Sequence, residues 1–274
     1  MSFRRAFVGF FLCLALSAAA AAQDARQIEI GYEITYAGLA GFRIDVTARL
    51  DGASYDVETS TFKNGILRAV TMTYFGRNRA WGGFSPQGTQ PAAGSMSIRV
   101  DDKTRTWMAQ YGAGGAVRET HNPAWKPAPQ QAIPDSDRNG SLDPLSAGLS
   151  VVLAGDAGCD RTVRTNDGKR RIDVMLRKVG SEPAAQSGIP GAQGDVLICE
   201  ITTKRVSGEF YDAPKEAETE RERPSRIWLA HLDNTPFRYP AKLESERSIG
   251  TVRGKLLWFR ERPLTPAESQ AMQK

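Results

Sequence analysis

The sequence predicts a mainly β fold: a strongly curved antiparallel sheet, an open half-barrel, with one amphipathic helix packed in its concave face. Apolar residues recur at every second position in the first strand-like segments, which is typical of strands with one buried and one solvent-exposed face. Short strand-like runs bounded by glycine or proline continue almost to the end of the chain. One segment with clear helix signals interrupts them, and a curved apolar face is the natural place to bury its apolar stripe.

Alternation alone predicts the first strands. Every second residue is apolar over 28–36 and again over 42–50, and polar residues fill most of the positions between them. Asp51-Gly52 is a hairpin turn signal, and Tyr55 and Val57 open a third segment of the same kind. Further strands are predicted at residues 68–75, 95–100, 105–111, 116–120, 161–165, 171–177, 196–206, 227–232, 239–247 and 251–259.

The helix is predicted over residues 144–154. Asp143 is a favourable N-cap, Pro144 suits the first helical position, and Gly155 closes the end. Gly148 destabilises this helix by about 1 kcal/mol relative to alanine. The apolar stripe consists of Leu145, Leu149, Val152 and Leu153.

The first 22 residues are typical of a cleavable export signal. Arg4 and Arg5 precede an apolar run that is too short for a membrane helix, and Ala-Ala-Ala at residues 20–22 matches an A-x-A cleavage site. We therefore expect a periplasmic protein without a transmembrane segment. The expected organisation is a signal peptide over residues 1–22, a single β domain over 23–264 and a C-terminal tail over 265–274.

Composition restricts the expected binding partners and indicates the redox state of the cysteines. The chain carries 36 basic and 31 acidic side chains, a net charge of +5, which falls to +3 when Arg4 and Arg5 leave with the signal. This small and interspersed excess argues against a nucleic-acid partner. Cys13 leaves with the signal as well, so Cys159 and Cys199 remain as an even pair, which predicts one disulfide in an oxidising compartment.

Several short motifs are spread over most of the chain after the signal. They are Tyr32-x-x-x-Tyr36-x-Gly38-x-x-Gly41, Asp143-Pro144-Leu145-Ser146-Ala147, Cys159-Asp160, Asp167-Gly168-Lys169-Arg170-Arg171, Cys199, Arg226-Ile227-Trp228-Leu229-Ala230, Pro236-Phe237-Arg238 and Gly250-Thr251-Val252. Together they resemble the exported bacterial family classed as domain of unknown function 3108. The resemblance implies a periplasmic location and a curved antiparallel sheet, but no reaction. That fold is similar to the open half-barrels of periplasmic lipoprotein carriers, which shelter acyl chains.

One loop has the spacing of a calcium site. Residues 135–143 read Asp-x-Asp-x-Asn-Gly-Ser-x-Asp, with oxygens and a turn glycine placed as in an EF-hand loop. Ser146 stands where the bidentate glutamate belongs, and no helix pattern precedes the loop. We favour a polar turn that leads into the helix, and we expect no cofactor. Any calcium binding is expected to be weak and to use Asp135, Asp137 and Asn139.

The sequence shows no catalytic constellation. His121 and His231 are its only histidines, and the hydrolase and metalloprotease motifs are missing. A non-enzymatic function is therefore favoured. A carbohydrate- or peptidoglycan-directed enzyme with paired carboxylates stays an alternative, because such a pair leaves no local motif. A structural scaffold for envelope partners is a further alternative.

The predicted function follows from the curved apolar face. A curved sheet with a single helix rarely fills its concavity, and ligand pockets form at the mouths of such barrels. We expect an envelope protein with a binding or chaperone-like role whose partner is a lipid or an apolar protein segment. Leu149, Trp228 and Tyr239 are expected to line the ligand groove.

Overall fold

The computed structural model describes residues 25–69, 73–86, 88–124, 126–127, 131–209, 223–233, 235–247 and 250–272. The predicted export signal over residues 1–22 lies outside these ranges. Within the described ranges, no helix has the length and apolar character needed to cross a membrane.

Thirteen strands in the described residues form one antiparallel sheet. In chain order they are β1 (Arg26–Tyr36), β2 (Leu39–Leu50), β3 (Ser54–Lys63), β4 (Tyr74–Ser85), β5 (Gly88–Val100), β6 (Lys103–Tyr111), β7 (Val117–Asn122), β8 (Arg161–Asn166), β9 (Arg170–Pro183), β10 (Ala192–Gly208), β11 (Ser225–Leu232), β12 (Arg238–Arg247) and β13 (Gly250–Pro263). The mainly β, antiparallel fold class is thereby confirmed.

The sheet is open, and β7 and β8 form its two edges. The strand order runs from β7 to β1, continues with β13, and then descends from β12 to β8. The first and last strands therefore pair in the middle of the sheet, where Arg26 lies opposite Pro263. Each half of the sheet is a simple meander, because all other pairs join strands that are consecutive in the chain.

Four short helices accompany the sheet in the described residues: α1 (Asp135–Arg138), α2 (Pro144–Leu153), α3 (Ala184–Ser187) and α4 (Pro266–Met272). Helix α2 is the predicted one and ends one residue earlier than expected. The Asp143 carboxylate caps it by accepting the backbone N–H groups of Leu145 and Ser146, both at 2.9 Å. Gly155 follows the helix with a φ of +55°, a conformation that favours glycine. Helix α4 lies within the segment expected to be a tail.

One strand prediction is wrong. Residues 65–69 form a short 3₁₀ turn, and the strand runs instead over Tyr74–Ser85. Its glycines look like turn residues in the sequence, but Gly82 lies at a bulge where the backbones of β4 and β5 approach closely. A Cβ atom at Gly82 would overlap the Gln90 carbonyl oxygen. Glycine in this strand therefore marks a close approach and not a turn.

Helix α2 lies between the two halves of the sheet. It contacts β3, β4 and β5 from one half and β8 and β12 from the other, so the sheet curls around it. Leu149 joins the larger apolar core, which is formed by side chains of β1 to β4 and β10 to β13. Ala147 and Val151 join a second cluster with Cys159 and Cys199, which form the predicted disulfide.

Candidate ligand pocket

An apolar pocket of about 230 Å³ lies between helix α2 and the inner face of the sheet, the face that is turned toward this helix. Its lining comes from alternate residues of β1, β2 and β3, from one side of α2 and from β12. None of the lining side chains is charged. The lining residues are Ile28, Ile30, Tyr32, Val46, Ala48, Leu50, Val57, Thr59, Pro144, Leu145, Gly148, Leu149, Val152, Tyr239 and Pro240.

The strand wall of the pocket follows directly from alternation and register. Ile28 lies opposite Ala48 across the β1–β2 pair, and Ala48 lies opposite Val57 across the β2–β3 pair. Ile30 lies two residues from Ile28, and Val46 lies two residues from Ala48. Because side chains two residues apart in a strand share a face, Ile30 and Val46 belong to the same wall. The period-two pattern visible in the sequence therefore builds a continuous apolar surface across three strands.

Gly148 lies at the mouth of this pocket. It is exposed to solvent, lines the pocket, and sits in the middle of helix α2. A Cβ atom added there would meet no heavy atom within 4 Å. Neither close packing nor backbone conformation therefore demands glycine, although it destabilises a helix by about 1 kcal/mol relative to alanine. Gly148 therefore adds no side chain to the exposed side of the pocket lining.

Two polar side chains of the wall, Tyr32 and Thr59, are bonded within the protein, and the Thr59 hydroxyl oxygen accepts from the Asn78 amide at 3.1 Å. The Tyr32 hydroxyl donates to the Pro240 carbonyl oxygen at 2.8 Å. Burial raises the pKa of Tyr32, so this phenol stays neutral. Because the lining is uncharged and mainly apolar, the pocket suits an apolar ligand.

The three residues expected in the groove have different places. Leu149 and Tyr239 line the pocket and are 8% and 3% exposed. Trp228 is buried in the same core but lies outside the lining, with the Lys242 ammonium 4.2 Å from its ring centroid. The β11–β12 pairing shifts register between Trp228 and Leu229. Because of this shift, regular alternation along the two strands does not predict that Trp228 and Tyr239 line the same pocket. Val46 and Gly148 belong to the lining but were missed by sequence reasoning.

Beyond helix α2, the inner face of β1 and β2 continues as a strip of half-covered apolar side chains. We call this the apolar strip and define it as Tyr32, Ile34, Tyr36, Phe42, Ile44 and Val46. None of its members is fully buried, and Tyr36 is 37% exposed. Tyr32 and Val46 also line the pocket, so the strip connects the pocket with the turn between β1 and β2.

The predicted calcium loop joins the two edges of the sheet. We call this contact the seam and define it as residues 135–142 together with β7 and β8. On the β8 side, the Leu142 N–H donates to the Arg164 carbonyl, and the Leu142 carbonyl accepts from the Asn166 N–H, both at 2.8 Å. On the β7 side, the Gly140 N–H donates to the Gly115 carbonyl, also at 2.8 Å.

Two of the three expected calcium ligands have partners within the protein. The Asn139 side-chain oxygen accepts the Val117 N–H at 3.1 Å, and the exposed Asp135 carboxylate pairs with Arg138 at 2.7 Å. Asp137 belongs to the same short helix, α1. In the part of the chain that is described, no three His, Cys, Asp or Glu side chains are grouped so that they could hold a metal ion. Weak calcium binding stays a prediction.

Glu119 is the polar centre of the seam. Its carboxylate accepts from the Trp107 indole N–H at 3.0 Å and from the Asn166 amide at 3.1 Å, and it pairs with Arg138 at 3.0 Å. These contacts link β6, β7, β8 and the loop. The Glu119 side chain is 6% exposed, and burial raises its pKa despite the three partners. Trp107 also packs on Gly168, where any Cβ atom would overlap the indole ring.

Asp143 is the second buried carboxylate of this region. Besides capping α2, it accepts the Ser146 hydroxyl at 2.5 Å, and the Ser146 oxygen lies 2.7 Å from the Tyr55 hydroxyl. Burial raises the pKa of both Asp143 and Tyr55. Glu119 and Asp143 are thus both held by donors from the protein, as buried groups with a structural role are.

Comparison with known proteins shows a relationship at the level of the family. The profile of a family described as a protein of unknown function (DUF3108) matches residues 28–257, which is most of the chain. No match was found among curated proteins, and none was found among solved structures.

Proposed function

The chain belongs to the family described as a protein of unknown function (DUF3108), and we propose that it is an exported, non-enzymatic binding protein of the cell envelope. The pocket beside α2 takes the end of one apolar chain. The observation that carries this proposal is a mainly apolar pocket without charged side chains, lined by three neighbouring strands and one side of α2.

The size of the pocket selects the class of ligand. Its volume of about 230 Å³ exceeds the roughly 150 Å³ of an apolar cavity that holds benzene, and it is below the roughly 300–1,000 Å³ of sites for drug-sized ligands. A whole lipid does not fit. The terminal part of one acyl chain fits, and the apolar strip supplies a surface for the part of the chain that stays outside.

Chain-length dependence tests this proposal. We would measure by calorimetry the binding of octanoate, dodecanoate and hexadecanoate to the full chain without residues 1–22. Each buried methylene contributes about 0.8 kcal/mol, so affinity should rise about fourfold per methylene until the pocket and strip are covered and then level off. Equal affinity for all three acids would contradict an apolar chain site.

Substitution of Gly148 at the mouth of the pocket tests whether the pocket binds a ligand or is only an imperfection in the packing of the core. Gly148→Leu should narrow the mouth and weaken hexadecanoate binding at least tenfold, while the free energy of unfolding rises by about 1 kcal/mol because a helical glycine is removed. Gly148→Ala is the matched control, because it gives the same gain in stability with only one methyl group added. Unchanged binding in Gly148→Leu would overturn the assignment of this pocket.

The cellular part of the proposal rests on the signal-like first 22 residues. Expression of the complete chain in a bacterium, followed by fractionation and intact mass measurement, tests it directly. The expected product is found in the periplasm, begins at Gln23, and has lost two mass units through the disulfide. A full-length product in the cytosol would refute export.

A further inference from the structure

A second apolar surface lies at the far end of the apolar strip, outside the pocket. Ile34, Tyr36, Leu39, Phe42, Ile66 and Val252 line an open depression of about 450 Å³. Leu39 and Ile66 are 55% and 56% exposed. We call this surface the apolar tip and define it as residues 34–42, 63–69 and 250–253. Large apolar side chains that are exposed together in this way mark an interaction site.

The tip is a built structure. The Asn64 N–H donates to the Gly41 carbonyl at 2.7 Å, which fixes the 3₁₀ turn against β2. Gly65 has a φ of +51°, and a Cβ atom there would be 2.5 Å from the Ala40 carbonyl oxygen. Glycine is therefore required for the turn to lie this close to β2. The exposed Ile66 side chain follows directly, so the fold holds it at the surface.

Charge indicates which occupant suits the tip. Residues 34–42, 63–69 and 250–253 contain Lys63, Arg68 and Arg253 and no carboxylate. Lys63 lies opposite Phe42 in the β2–β3 pair, and Arg253 lies opposite Thr35 in the β1–β13 pair. Glu244 is 3.4 Å from both Arg253 and Lys242, so one carboxylate is shared by two cations.

Two further carboxylates bond residues of the tip: Glu33 accepts from the Asn64 amide at 3.2 Å, and Glu246 accepts from the Thr251 hydroxyl at 3.3 Å. The surrounding cations still outnumber the carboxylates, so the rim carries an excess of positive charge: Lys63, Arg68, Lys242, Arg253 and Lys255 against Glu33, Glu244 and Glu246.

We propose that the apolar tip docks on the surface of an anionic phospholipid bilayer. Leu39, Ile66 and Tyr36 enter the boundary between headgroups and acyl chains, while Lys63, Arg68 and Arg253 meet lipid phosphates. This places the outer end of the apolar strip against the membrane. The apolar tip shares Ile34, Tyr36 and Phe42 with the apolar strip, but Leu39 and Ile66 lie outside both the strip and the pocket lining. Docking through these two residues does not depend on ligand binding in the pocket.

Vesicle flotation tests the proposal with the chain that lacks residues 1–22. Vesicles of phosphatidylcholine with about one-third phosphatidylglycerol should carry the protein to the top of the gradient, whereas pure phosphatidylcholine vesicles should carry about tenfold less. Added salt should weaken the binding to anionic vesicles, because it screens the interaction between cations and phosphate. Equal binding to both kinds of vesicle, or to neither, would overturn the proposal.

Variants locate the surface. The double variant Leu39→Asp, Ile66→Asp should lose at least about tenfold in partitioning to anionic vesicles. The matched control is Val179→Asp, Val206→Asp, which adds the same charge at two exposed apolar residues of β9 and β10, and it should lose much less. An equal loss in both double variants would mean that added charge alone repels the vesicles, and would sink the assignment to the tip.

Two further readouts separate membrane docking from ligand binding and from self-association. Hexadecanoate binding in solution should be unchanged in the Leu39→Asp, Ile66→Asp variant, so failure of the docking proposal is distinguishable from failure of the pocket. Sedimentation velocity should show the same species for the wild type and this variant. A wild-type dimer that the variant converts to monomer would assign the tip to a second copy of the chain and would overturn the membrane proposal.

Discussion

The seam and the apolar strip differ in how their side chains are covered. At the seam, Glu119 has three protein partners, and the backbone N–H and carbonyl of Leu142 both bond the edge strand β8. Along the strip, apolar side chains such as Ile34 and Phe42 stay half covered. Buried polar groups require hydrogen-bond partners from within the protein, whereas half-covered apolar side chains are available to contact an external ligand. This difference is the reason why we propose that the seam serves stability and the strip serves binding.

Removal of the disulfide is the strongest way to disturb the seam side. The disulfide holds the end of the segment that carries the loop and α2, and it closes a loop with a sequence separation of 40 residues. Cys159→Ala with Cys199→Ala should lower the free energy of unfolding by about 4 kcal/mol on the chain-entropy description. Urea unfolding followed by circular dichroism measures this loss. A loss below about 1 kcal/mol would show that the segment is fixed by other contacts.

Deletion of the Glu119 carboxylate tests the polar contacts directly. Glu119→Ala leaves the Trp107 indole N–H, the Asn166 amide and the Arg138 guanidinium without their shared acceptor, and should lower the free energy of unfolding by about 3 kcal/mol. The control is Glu58→Ala, which removes the ion pair with the exposed Arg77 and should have an effect of less than about 1 kcal/mol. Similar losses in both variants would remove the distinction between the seam and an ordinary surface.

Substitution in the strip should have a smaller effect on stability. Ile34 is only half covered, so Ile34→Ser should lower the free energy of unfolding by about 1 kcal/mol. Val57→Ser, at a buried position of the same inner face, should lower it by clearly more. Hexadecanoate affinity should fall in Ile34→Ser. Unchanged affinity would show that the strip does not contribute to ligand binding.

The pH dependence of stability is the mildest test. Burial raises the pKa of Glu119 above its value in the unfolded chain, so the folded state binds more protons in the interval between these two values. The stabilising contribution is therefore complete below the unfolded pKa and is lost as the pH rises through the folded one. Compared with Glu119→Gln, the wild type should gain stability as the pH is lowered from neutral toward 4. Urea unfolding at several pH values checks the sign, and a relative loss on acidification would contradict it.

Local chemistry made part of this structure predictable. The Asp143 cap, the proline at the first helical position and the alternation over residues 28–36 and 42–50 are signals carried by neighbouring residues, so α2, β1 and β2 lie close to where they are expected. The disulfide was predictable because only two cysteines remain once the signal is excluded. The turn interpretation of residues 135–143 was also local, and the short helix α1 and the cap of α2 fall within this segment.

Features that depend on distant segments were not predictable in the same way. Strand β4 escaped detection because its glycines serve a close approach to β5, which the sequence of β4 alone does not reveal. Glu119 looked like an ordinary strand residue, since its partners Arg138 and Asn166 are brought to it only by the seam. Trp228 lies outside the pocket lining, next to a register shift between β11 and β12. The spacing of residues in the sequence does not predict this shift.

The position of β1 has a consequence for how the chain reaches its native state. β1 lies in the middle of the sheet between β2 and β13, so the strand synthesised first is completed by the strand synthesised last. Pairing over such a distance along the chain slows folding, because the intervening polypeptide must be closed into a loop before the contact is gained. The two meanders can form separately, but the β1–β13 pairing that joins them into one sheet forms only after β13 has emerged from the ribosome.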